Sequence, residues 1–166
     1  MSFSDGEYVM YGTSGVCIVT GIEKKCPDGQ NEKEYIRLVP INSANSKYYI
    51  PYENADGRIR KLLSADEINR IIDEMLDTEA IWCSDNHKRK EIFSSIIKSD
   101  DYRQIIGMIK SIHEQKIQRI SDGKKLASVD EMLMKKAEEL MYQEFSTVLD
   151  IGIDEVENYI INRIES

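Results

Sequence analysis

The side chains able to do covalent or metal chemistry are few and scattered along this 166-residue chain. His87 and His113 are the only histidines, and neither stands beside a nucleophile signature. Gly12-Thr13-Ser14-Gly15 is not the G-x-S-x-G of a nucleophile elbow, and Gly123-Lys124-Lys125 lacks both the upstream glycine and the Ser/Thr of a phosphate-binding loop. Cys83 and His87 are four apart and on a helix would share a face, but two ligands without a second pair make no metal site. The paired acids Asp100-Asp101, Asp130-Glu131 and Glu138-Glu139 are accounted for by capping and solvation. The expectation is a protein that is not an enzyme, uses no cofactor or metal, and works by binding.

Binding chemistry is better represented. Trp82, the only tryptophan, sits just before the basic cluster Lys88-Arg89-Lys90. A ring of that size at a helix start is usually a core or domain-interface anchor, because it buries a large area. The net charge of −8 argues against nucleic acid, whose affinity comes from neutralising phosphates. The charge is unevenly spread, however: residues 1–62 balance at zero, 63–81 carry −5, 82–125 carry +4 and 126–166 carry −7. Positive charge gathers at Lys88, Arg89, Lys90, Lys98, Arg103, Lys110, Lys116, Arg119, Lys124 and Lys125. Taken alone, that pattern describes the solvated faces of two amphipathic helices.

The elements that must position these residues fall into two regions. Tyr8, Val9, Tyr11, Val16, Ile18, Val19 and Ile22 favour strands and are punctuated by Gly12, Gly15 and Gly21. Further strands are predicted over 34–40 and 47–51, separated by the turn-forming Asn42-Ser43-Ala44-Asn45-Ser46. Four or five short antiparallel strands make a small, strongly bent, barrel-like sheet of roughly 60 residues. Alternation puts one of Tyr48 and Tyr49 inward and the other, taken as Tyr49, outward.

Beyond it the periodicity becomes helical. Ser64 with Glu67 forms a capping-box pattern opening a helix to about Leu76, and helices are predicted over 84–98, 101–117, 128–148 and 154–163. Asp100 or Ser99 is expected to cap the third. Ile92, Phe93, Ile96 and Ile97 are expected inward on the second, and Tyr102 to Ile117 on a broad apolar face of the third. The fold class expected is α+β, a β domain over residues 1–62 followed by an all-helical domain over 63–166. No apolar run approaches the roughly 20 residues that span a bilayer. With three widely spaced cysteines, Cys17, Cys26 and Cys83, reduced thiols and a cytoplasmic address are expected.

The opening Gly6-Glu7-Tyr8-Val9-Met10-Tyr11-Gly12, with Gly15-Val16-Cys17, Glu34-Tyr35-Ile36 and Tyr48-Tyr49-Ile50-Pro51 followed by Asn54, resembles one known pattern. It is similar to the RNA-polymerase-interacting domain of the CarD family of bacterial transcription regulators, a Tudor-like, SH3-like barrel shared with the transcription-repair coupling factor. The helical remainder, with Trp82 near its start, is similar to the CarD carboxy-terminal domain. The resemblance implies that the strand 47–51 pairs with the polymerase β subunit, with Lys25, Tyr49, Ile50 and Pro51 as contacts. It also implies that Trp82 wedges into the minor groove at the upstream edge of the melted promoter, stabilising the open complex. Lys88, Arg89, Lys90, Lys124 and Lys125 would then hold the DNA.

The chain departs from that pattern in telling places. Cys83-Ser84-Asp85 follows the tryptophan where the family commonly has two arginines, Glu131-Met132 stands in place of a second basic pair, and Tyr49 takes a place often held by arginine. Promoter contact is therefore expected to be weak and to depend on tethering by polymerase. The alternative is an adaptor that binds polymerase or another protein and touches DNA little.

Overall fold

The computed structural model describes residues 2–166, which form two compact units, one ending at Leu63 and the other running Ser64–Ser166.

The first unit is a five-stranded antiparallel sheet built from β1 (Tyr8–Met10), β2 (Val16–Lys25), β3 (Lys33–Pro40), β4 (Tyr48–Pro51) and β5 (Arg60–Lys61), in the order β4-β3-β2-β1-β5. The sequence reading gave no strand to residues 60–61, which are too polar to show alternation; they form one by pairing Val9 with Lys61 and Met10 with Arg60. The sheet is open, where a barrel-like sheet was expected. Its end strands have only four and two residues, too little ladder to join edge to edge.

One bulge bends the long β2–β3 hairpin. The register shifts between Val19 and Gly21, and Gly21 takes φ +144°, a conformation that side-chain-bearing residues rarely adopt. Opposite it, Arg37 staples the bend: Nε donates to Thr20 Oγ1 at 2.8 Å, Nη2 to the Thr20 carbonyl at 2.9 Å, and Nη1 to Glu23. The bend lets Phe3, Val9, Cys17, Val19, Ile36, Leu38, Ile50, Ala55 and Ile59 enclose one core, flanked by Tyr11, Tyr48 and Tyr52. Each fully buried aliphatic side chain there contributes about 1.5–3 kcal/mol.

The second unit packs five helices: α1 (Ala65–Asp73), α2 (Asn86–Ser99), α3 (Tyr102–Ser121), α4 (Ser128–Leu149) and α5 (Val156–Glu165). The capping box is present, with Glu67 N–H donating to Ser64 Oγ at 3.1 Å and Ser64 N–H to Glu67 Oε1 at 3.3 Å. Asp101, rather than Asp100 or Ser99, caps α3, its carboxylate accepting from Arg103 N–H at 3.0 Å. Asp100 instead ends α2 in the left-handed region at φ 59°, which removes it from the capping position.

Phe93, Ile105, Met108, Ile112, Ala137 and Phe145 are at most 1% exposed and make the centre of this core. α1 and α5 are tied at its side, where Arg163 donates from Nε and Nη2 to the Asp73 carboxylate and Tyr159 to Asn69. The apolar arcs read from sequence are wider than the neighbours cover. Ile92 and Leu76 are exposed, and so is Ile117, at 70% on the distal turns of α3.

A segment without regular structure crosses α3 between Thr78 and Asp85. Ile81 N–H donates to the Gly107 carbonyl at 3.0 Å, and Lys110 Nζ donates to the carbonyls of Leu76 and Thr78. The crossing is close: a Cβ on Gly107 would lie 2.6 Å from the Glu79 carbonyl oxygen and 3.0 Å from Ile81. Because a backbone atom cannot swing aside, Gly107→Ala is expected to destabilise the protein by about 1–3 kcal/mol, read as a lowered thermal midpoint.

Burial pushes the Cys17 thiol up to about 11, while Cys26 is exposed. Native protein at pH 8 is therefore expected to alkylate at Cys26 and to alkylate Cys17 only after unfolding. Since the folded state holds the Cys17 proton more tightly than the unfolded chain, that contribution is present below the ordinary thiol pKa of about 8.5 and is lost as pH rises from there toward 11. Cys17→Ala should flatten that alkaline decline in thermal melts.

Candidate functional site

Two surfaces carry the residues singled out from sequence, one on each unit.

On the sheet, pairing places Tyr35, Arg37, Glu23, Lys25, Tyr49 and Pro51 on the outer face and Ile36, Leu38, Tyr48 and Ile50 on the inner one. Tyr48 packs edge-on against Tyr11 at 5.2 Å, and Tyr49 is 38% exposed, the outward partner of the pair. The ammonium of Lys25 lies 3.4 Å from the Tyr49 ring centroid, a cation–π contact that joins the end of β2 to β4. Pro51 is half-buried. Ile50 must be corrected: its side chain is fully buried in the core, so it can meet a partner only through its main chain. β4 ends the strand order, and among the described residues no strand pairs its outer side. Such an edge offers N–H and C=O groups to an incoming strand.

On the helical unit, Trp82 belongs to the crossing segment and lies ahead of α2, which begins at Asn86. Cys83 likewise precedes the helix, so it and His87 do not share a helical face. Trp82 is half-buried, its ring tilted against Phe93 at 6.1 Å and with the Arg89 guanidinium over its face, 4.2 Å from the centroid.

Arg89 also departs from the expectation. Expected on the DNA-facing surface, it is 2% exposed, as is Asp130 on the first turn of α4. Nε donates to Asp130 Oδ1 at 3.0 Å and Nη2 to Asp130 Oδ2 at 2.8 Å, a bidentate pair. Nη1 donates to the Cys83 carbonyl at 3.0 Å and Nη2 also to Asn86 Oδ1 at 2.8 Å. The charge is neutralised and enclosed, so it cannot reach a phosphate.

Lys88, Lys90, Lys124 and Lys125 are exposed. The Arg89–Asp130 bond brings the start of α2 beside the start of α4, and Lys124 and Lys125 stand on the turn leading into α4. Both lysine pairs thus lie at the end of the unit where Trp82 sits. Asp85, which follows the tryptophan in place of a basic residue, caps α2, accepting from Lys88 N–H at 3.0 Å. Among the described residues no group of three or more His, Cys, Asp or Glu is placed to hold a metal ion, and no helix is long and apolar enough to cross a membrane.

Sequence reasoning missed Asp130 and Gly107. Asp130 had a local explanation as an N-terminal acid of a helix, and nothing in the chain links it to a residue 41 positions away. A glycine inside a strongly helical pattern was the available signal for Gly107, since it costs helix stability unless something must approach closely.

Residues 3–63 match the family model of the CarD-like/TRCF RID domain, which covers every strand of the first unit. The N-terminal unit is a CarD-like RNA-polymerase-interacting domain. Its expected partner is accordingly RNA polymerase, and the exposed edge β4 with Lys25 and Tyr49 lies within the matched residues. The match ends where the helical unit begins. No curated protein matches the chain.

Removing one partner of a buried ion pair strands the other charge. Asp130→Ala is therefore expected to cost about 3–5 kcal/mol in denaturant unfolding, against less than about 0.5 kcal/mol for the exposed Lys88→Ala.

Proposed function

We propose that this protein is a transcription regulator that docks on the RNA polymerase β subunit through β4 and acts on the promoter open complex through its helical unit. The observation that carries the reading is the unpaired outer side of β4 within a CarD-like polymerase-interacting domain. Strand addition there gains main-chain hydrogen bonds, while Tyr49, Lys25 and Pro51 on the adjoining face select the partner. The size of the module and its sharp bend at Gly21 support a Tudor-like description, with the barrel left open.

For the helical unit, the half-buried Trp82 at the lysine-bearing end is the residue suited to a minor-groove wedge. Inserting an apolar ring partially unstacks a base step, and at the edge of a transcription bubble it would oppose re-closing. The protein then catalyses nothing; it shifts an equilibrium by binding the open complex better than the closed one. The DNA contact rests on Lys88, Lys90, Lys124 and Lys125, and tethering through β4 makes up for its weakness.

A second reading, a polymerase-bound adaptor with little DNA contact, is favoured by one observation. Burial of Arg89 removes a cation from a surface that already lacks the family's arginines after Trp82.

The first experiment is capture of the purified β-subunit lobe by the wild-type chain and by Tyr49→Pro, which deletes an N–H from β4. Wild-type capture lost in the variant is expected; no wild-type capture would overturn polymerase docking. Trp82→Ala should then shorten open-complex lifetime with capture intact. An unchanged lifetime would favour the adaptor.

A further inference from the structure

We propose that Arg89, fixed by Asp130, is the positioning residue for Trp82, a reading that deepens the proposed wedge and rests on it for its functional consequence. Residues 81–83 are held from three elements. Ile81 N–H is bonded to Gly107 on α3, the Cys83 carbonyl accepts from Arg89 on α2, and Arg89 is itself clamped by Asp130 on α4. Between these pins the centre of the Arg89 guanidinium lies over the indole, 4.2 Å from the ring centroid.

Burial differs sharply between the ring and the ion pair it contacts. The ring keeps part of its surface in contact with water, while the ion pair against which it rests is almost sealed from it. A buried ion pair is a poor device for stability, since apolar residues of similar volume do as well or better. What arginine supplies in addition is a rigid planar face and donors in fixed directions, which lysine cannot reproduce. Four hydrogen bonds fix that plane, and the ring in contact with it is held in place through it. Arg89 thus acts on any ligand only through Trp82.

The single tryptophan makes this directly measurable. In the full chain, Arg89→Met combined with Asp130→Leu removes both charges and is expected to keep the helical circular-dichroism spectrum. Its Trp82 emission should move to longer wavelength and become more accessible to acrylamide, because the ring has lost its platform. Arg89→Lys, which keeps the charge without the plane, should show the same change, whereas Asp130→Glu should largely preserve the wild-type signal. Unchanged emission and quenching in Arg89→Lys or in a folded double variant would overturn the proposal. Should the double variant not fold, Arg89→Lys decides alone.

With polymerase and promoter DNA, the folded variants should lose most of the open-complex effect while retaining capture of the β lobe. If Trp82→Ala leaves lifetime unaltered, the wedge reading fails, and the spectroscopic result still decides whether Arg89 positions the ring. If Trp82→Ala shortens lifetime but a variant with a displaced ring does not, positioning by Arg89 has no functional consequence and the proposal fails there.

Discussion

A guanidinium taken out of water must find partners for its donors and an opposing charge, and the end of the helical unit that bears Trp82 is arranged around that requirement. Arg89 meets it with one carboxylate, one backbone carbonyl and one side-chain amide, drawn from α4, the crossing segment and α2. Each bond fixes an element relative to the others. The α2 and α4 starts come together, the chain before α2 is held against them, and the crossing at Gly107 becomes tight enough to exclude a methyl group. An uncompensated charge in that interior would be far more costly than any one of the contacts it organises.

The sheet unit answers to a different constraint. Its core is apolar and conventional, but a sheet that stops at a four-residue strand leaves main-chain groups on one side for a partner to use. The Arg37 staple and the Gly21 bulge bend the sheet so that one face encloses the core. On the other face, Tyr49 and Lys25 stand beside the open edge. Binding through such an edge draws affinity from the backbone and specificity from a few side chains. Few recognition residues are then needed, in keeping with the modest charge of this unit.

Placed together in one chain, the two surfaces suggest a division of labour. In the proposed function a domain of the polymerase-interacting type would supply attachment, while the helical unit carries a partly buried aromatic ring with four exposed lysines at the same end. The overall charge of −8 is not an obstacle to that arrangement. The negative balances lie mainly in 63–81 and 126–166, whereas the stretch 82–125 that holds Trp82 and the four lysines carries +4.

Features set by neighbours a few residues apart were legible without a structure. The capping box of Ser64 and Glu67, the alternation that sends one of Tyr48 and Tyr49 in and the other out, and the change from strand to helix periodicity follow from local spacing, while the polymerase-interacting pattern was legible as a resemblance to a known family. Tertiary structure alone decided the rest. β5 exists only because β1 lies beside it. The exposure of Ile92 and Ile117 depends on how far neighbouring helices extend. Arg89, in a run of three basic residues, looked no different from Lys88 or Lys90. Its fate was set by Asp130, 41 residues away, because whether a charge can be buried depends on the partners that folding brings to it, and those partners leave no mark on its own neighbourhood in the chain.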